Sequence, residues 1–214
     1  MLKKVKDGIC AGVMIIISCA VFVSCLIDGQ KQLGTILFAL ALLTICIKGY
    51  SLFTGKVGFI LEKHGKEEFS VLLLGLLGNA LATVVLGIIL GYAIPSLQIK
   101  ANEFCSLKLI EQQWWQTLVR AIFCGILMYV AVSIYRDHNK NVIGIIFAIP
   151  VFMLSGFEHS IADIGYFAMS HIVSFDAFLF LMIVILGNAI GAWILPVLSM
   201  TKKKSKDQAE KEKE

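Results

Sequence analysis

Leu77-Gly78-Asn79-Ala80-Leu81 is answered by Leu186-Gly187-Asn188-Ala189-Ile190 later in the chain, and each copy sets one small-polar step into a long apolar stretch. Working outward from these two copies, apolar stretches of membrane-span length fall at 8–27, 33–61, 70–94, 114–135, 141–167 and 175–200. The repeated step lies in the third and the sixth. With three spans per half, the second copy must enter a membrane from the opposite side, the inverted-repeat plan of many transporters and channels. The reading is therefore an all-α integral membrane protein of six transmembrane helices in a 3+3 inverted repeat, with halves at about 5–94 and 114–200 of a single domain over 1–200.

Composition supports the membrane and excludes a soluble enzyme domain: hydrophobic residues make up 58% of the chain and the mean hydropathy is +0.84, far above globular values. The first span lacks an A-x-A-like cleavage site and reads as a retained helix. Residues 201–214 are a Lys/Glu run expected to be disordered. With the N-terminus inside, cytoplasmic ends and short loops hold Lys3, Lys4, Lys6, Lys63, Lys66, Arg136 and Lys140, against Lys31, Lys100 and Lys108 on the other side. That asymmetry predicts a multi-pass protein of the cell membrane with both termini cytoplasmic. Cys10, Cys19, Cys25, Cys46 and Cys124 lie in apolar spans, Cys105 in the loop before the fourth, and no CxxC pair occurs, so the cysteines read as small hydrophobes.

Two of the spans are interrupted. The second, 33–61, is too long for one straight crossing and carries Lys48-Gly49-Tyr50-Ser51-Leu52-Phe53-Thr54-Gly55-Lys56 in its interior. The fifth contains Glu158, His159 and Asp163 around Gly156-Phe157-Glu158-His159-Ser160. A charge at the bilayer centre costs about 2.5–3.5 kcal/mol on insertion scales, so such groups face a cavity, pair with one another or mark a substrate path. Unwound backbone is tolerated at that depth only where it is buried in protein or lines a watery path. Broken second and fifth helices meeting near the midplane satisfy both conditions.

Leu52-Phe53-Thr54-Gly55, Gly156-Phe157-Glu158-His159-Ser160-Ile161-Ala162 and Gly187-Asn188 resemble, in order and spacing, the motifs of the formate/nitrite transporter family, and the resemblance covers nearly all of residues 5–200. It implies an aquaporin-like protomer, a homopentamer with one pore per protomer, and passage of small monovalent anions or their acids, with protons as a possible second cargo. It implies His159 as the central pore histidine, Thr54 as its partner on the facing break, and Glu158 as its acidic neighbour. Phe53, Phe152 and Leu42 stand where the family has apolar constriction residues, Asn188 where it has the asparagine of the last helix, and Lys108 where it has a vestibule lysine. The chain departs from the pattern at Ser51, Lys56, Gly125 and Asp163, where a glutamate and three asparagines are usual. No cofactor, metal or nucleic acid is implied.

The residues themselves frame the chemistry. Taking a small anion out of water costs tens of kcal/mol by Born estimates. Half-helix N-termini and N–H donors lower that cost for the anion; alternatively a histidine titrating near neutral pH exchanges protons with a weak acid that crosses uncharged. Lys108 and Lys56 would concentrate anions at the two mouths. Two other classes remain open. One is a neutral-solute pore of the same architecture. The other is an intramembrane metalloenzyme using His159 and Asp163 at i and i+4 with Glu158 as base, although His64, His138 and His171 all fall in loops and supply no third buried ligand.

Overall fold

A computed structural model describes residues 2–62 and 65–211, with side chains described as far as residue 199. The chain is all helical: α1 (Leu2–Ile27), α2 (Lys31–Lys48), α3 (Phe53–Lys56) running on into a 3-10 turn (Val57–Leu61), α4 (Lys66–Ala93), α5 (Pro95–Glu111), α6 (Trp114–Asp137), α7 (Ile143–Leu154), α8 (Ser160–Ser170) and α9 (Phe175–Lys211). Among the described residues five of these are long and apolar enough to cross a membrane, namely α1, α2, α4, α6 and Phe175–Ser199 of α9. The fifth apolar stretch is divided between α7 and α8, and neither is long enough to cross alone. Helical backbone in α9 continues to Lys211. The side chains of the Lys/Glu tail expected to be disordered, and residues 212–214 altogether, lie outside the described residues.

Local sequence explains where the helices stop. Gly49 closes α2 in the left-handed conformation (φ 70°), its N–H turned back to the carbonyls of Cys46 and Ile45. Gly156 (φ 68°) turns the chain after α7. Pro95 opens α5 at a position where its missing N–H costs nothing. Gln113 and Gln116 cap α6 reciprocally.

Helices α1 and α4 form one tight pair and α6 and α9 another. Both are close enough to need glycine where they cross. A Cβ on Gly12 of α1 would stand 2.7 Å from the carbonyl oxygen of Asn79 in α4, and one on Gly125 of α6 would collide with the carbonyl oxygen of Asn188 in α9. An asparagine at 125, usual in the resembling family, would not fit this backbone without a shift. Leu73, Leu77, Leu81 and Ile88 form an exposed apolar ridge along α4 at helical spacing, the face expected of a helix turned to lipid or to a neighbouring subunit.

The segment before the fourth span differs from its sequence reading. Lys108 and Cys105 are not in a loop but on α5, a 17-residue helix in which Leu97, Ala101, Cys105 and Lys108 are buried at i, i+4, i+8 and i+11. Its low overall hydropathy hid it: one buried stripe on an otherwise polar helix is no span signal.

Candidate functional site

The site is built by two non-helical turns held in matching ways. At the first, residues 49–52, Asn79 Oδ1 accepts from the Phe53 N–H at 2.9 Å, and Asn79 Nδ2 donates to the carbonyls of Gly8 and Ser51 at 2.8 and 2.9 Å. At the second, residues 155–159, Asn188 Oδ1 accepts from the Ser160 N–H at 2.9 Å, and Asn188 Nδ2 donates to the carbonyls of Ala121 and Glu158, both at 2.9 Å. Each asparagine is fully buried. Each satisfies an N–H and a carbonyl of its turn and ties the turn to a carbonyl inside a neighbouring helix, Gly8 of α1 or Ala121 of α6. Asn188 was expected in the site; Asn79 was legible as its counterpart in the repeated pentapeptide but had no assigned role.

The residues that start the two following helices meet. Thr54 Oγ1 and His159 Nε2 lie 2.8 Å apart, both side chains buried. His159 is the N-cap of α8 and its Nδ1 accepts the Ala162 N–H at 3.1 Å. A nitrogen that accepts carries a lone pair, so the ring proton sits on Nε2 and is donated to Thr54. The arrangement holds the imidazole neutral, with one N–H donor aimed at the junction. Both ring nitrogens are thereby engaged, which leaves no free lone pair for the metal ligation that an i, i+4 pair with Asp163 would require. Phe152 stacks on the imidazole, centroids 5.8 Å apart at 26°.

A cavity of about 390 Å³ reaches this junction from one side. It is lined by His159, Phe152, Glu158 and Asp163, and also by Phe22, Leu26 and Lys31. A second, of about 350 Å³, is lined by Leu42, Leu52, Gly55, Lys56 and Arg136. Phe53 lines neither; it is buried. Of the expected constriction residues, Phe152 lines the first cavity, Leu42 the second and Phe53 neither. Phe152 faces the histidine, and Leu42 faces the other side.

Lys108, Glu158 and Asp163 form an ion cluster behind His159. Lys108 Nζ donates to Glu158 Oε2 in a short contact and to Asp163 Oδ1 at 2.6 Å. Gln112 Nε2 donates to Glu158 Oε1 at 2.8 Å and Gln112 Oε1 accepts from Thr117 at 3.1 Å. Lys108 also lies 4.7 Å over the Phe104 ring. The lysine expected as a free vestibule charge is therefore committed to two carboxylates. Asp163 Oδ2 and Ser160 Oγ are buried with no hydrogen-bond partner among the described residues. Lys56 has no ion pair among the described residues. Gln112 escaped the sequence reading, because a glutamine in a polar stretch before Trp114 carries no signal of its own.

Apolar helices of membrane-spanning length, with a buried polar junction where two helix starts meet between two cavities, are the build of a polytopic membrane protein. The sequence matches the family described as formate/nitrite transporter over residues 1–201, and the chain belongs to that family. It is a multi-pass membrane protein that carries small anions. Two solved structures share its fold. A pentameric formate channel with formate bound superposes with TM-score 0.78 at 21% identity, covering 95% of this chain and 97% of its own. An FNT family ion channel superposes with TM-score 0.81 at 18% identity, covering 94% of this chain and 90% of its own. No curated protein matched the sequence.

Proposed function

We propose that each protomer passes small monovalent anions of the formate, nitrite or hydrosulfide class through the His159–Thr54 junction, with a proton accompanying each anion across the driest stretch. The observation that carries this reading is the 2.8 Å contact between Thr54 and His159, with a cavity on either side of it. Phe152, Phe53 and Leu42 give the junction apolar walls. There a neutral weak acid crosses at far lower cost than its anion, and a neutral imidazole N–H offers the acid oxygen a hydrogen bond in exchange for the one it gives Thr54. Lys56 draws anions to the inner cavity. Lys108 acts through Glu158 and Asp163, holding the turn before His159 in place.

On this reading α2 with α3, and α7 with α8, are the broken second and fifth spans of a 3+3 inverted repeat. The paired asparagine contacts and the paired glycine crossings support it. Both termini are cytoplasmic, so the cavity at the C-terminal end of α1, lined by Phe22 and Leu26, opens outward. The assembly is a homopentamer, as in the formate channel that shares the fold.

The test is formate and proton uptake measured together in proteoliposomes. Wild-type protein is expected to carry about one proton per formate, and His159→Ala to lose most of the flux and its pH dependence. If His159→Ala keeps the wild-type rate and pH profile, the histidine is not the pore centre. Osmotic swelling without anion uptake would instead mark a neutral-solute pore.

A further inference from the structure

The outer cavity is lined by four cations, Lys31, Lys100, Lys108 and Arg120, and by four carboxylates, Glu103, Glu111, Glu158 and Asp163. Most of these charges are already spoken for. Lys108 is held by Glu158 and Asp163, and Lys100 pairs with Glu103 at 2.9 Å. Lys31 and Glu111 are exposed at the rim. Arg120 is different: it lies six residues inside α6, about 9 Å along the helix from its start, and has no ion pair among the described residues. Its Nη1 lies 3.7 Å from the point where a Cβ on Gly156 would stand, so the guanidinium sits over the turn that leads into Glu158 and His159. Gly156 is held at φ 68°, a conformation that favours glycine, so the turn beneath the guanidinium carries no side chain.

An arginine at this depth, half-buried and unpaired, is costly unless something uses it. Without it the lining holds three lysines against four carboxylates, a field that repels the anion the pore is meant to admit. A guanidinium also differs from a lysine in kind, since its planar fork offers two parallel N–H donors to two oxygens of one anion.

We propose that Arg120 forms an outer anion-binding site above Gly156, selective for planar anions with two oxygen acceptors, such as a small carboxylate or nitrite, over single-atom acceptors such as hydrosulfide. The site hands its ligand to His159, which lines the same cavity. The inference rests on the transport reading above.

The experiment is the concentration dependence of formate and hydrosulfide uptake in proteoliposomes of wild type, Arg120→Gln and Arg120→Lys. Arg120→Gln is expected to raise the half-saturating formate concentration about tenfold, the effect of losing a charge-assisted pair. Arg120→Lys keeps the charge but not the fork; it is expected to raise the formate value about fivefold and leave hydrosulfide within about twofold. Equal shifts for the two anions in Arg120→Lys would overturn the selectivity, and an unchanged formate value in Arg120→Gln would overturn the site. Should Arg120→Gln fail to assemble, the Arg120→Lys comparison decides alone. If wild type itself carries no formate, the transport reading fails; if wild type carries formate and the variants match it, only the Arg120 site fails.

Discussion

The two turns at 49–52 and 155–159 have the same backbone support and opposite side chains. Each is tied by one buried asparagine making three hydrogen bonds, and each leads into a helix whose N-cap is extended, Leu52 in one and His159 in the other. Around the first stand Ser51, Thr54 and Lys56; around the second, Glu158, His159, Asp163, Lys108 and Arg120. The comparison separates what the fold requires from what the chemistry requires. Buried backbone must be satisfied at both turns, whereas the carboxylates and the histidine gather at only one.

The largest effect is therefore expected from the shared part. Asn79→Ala and Asn188→Ala each leave two buried backbone groups of a turn without a partner and cut the turn's tie to a neighbouring helix, at a combined cost of about 3–6 kcal/mol. Both variants should lose assembly or unfold at much lower temperature in detergent, and by similar amounts. A thermal-unfolding series checks this. If one substitution is tolerated and the other is not, the two turns are not equivalent and the repeat reading weakens.

Next in size is the charged cluster, present only at the second turn. Lys108→Met leaves Glu158 and Asp163 buried without their cation, which costs about 3–4 kcal/mol. Adding Asp163→Asn to Lys108→Met removes one of the stranded carboxylates and should restore a good part of the loss. The matching change at the first turn, Lys56→Met, touches no ion pair and should leave stability within about 0.5 kcal/mol. Unfolding midpoints of the three variants measure the contrast; a Lys108→Met protein as stable as wild type would show that the cluster contributes nothing to holding the turn.

How far these features were legible depends on whether they repeat along the chain or only in space. The Gly-Asn step and the motif around His159 are contiguous, so the all-helical membrane fold could be anticipated from the residues, and the family and the Thr54–His159 pairing from the resemblance those motifs carry. The cluster could not, because Lys108 reaches Glu158 and Asp163 across 50 and 55 positions, from a helix whose single buried stripe looks like a polar loop. Asp163 illustrates the gap: in sequence it is an unexplained departure from the family pattern, while in the fold its carboxylate shares a lysine with Glu158. Arg120 belongs to no motif in the sequence, and only the cavity it lines and its place over the turn at Gly156 single it out.

The smallest effect lies where the two turns touch. Thr54→Val keeps the shape of the side chain and removes the oxygen that accepts the His159 N–H, so the cost in stability is about 1 kcal/mol, the net worth of one hydrogen bond. Its effect on transport discriminates more. If Thr54 holds the imidazole proton on Nε2 for the passing acid, Thr54→Val frees the ring to turn and formate flux should fall about threefold to tenfold, well short of His159→Ala. The Nδ1 bond from Ala162 remains in that variant, so the histidine keeps its neutral tautomer, and the pH at which flux is half-maximal should stay where it is in wild type. Flux unchanged by Thr54→Val would make the contact between the turns a packing accident. A shifted pH profile would show that the first turn, not only the second, sets the protonation of the histidine, and would move part of the chemistry to the half of the molecule that carries no titratable group at the junction.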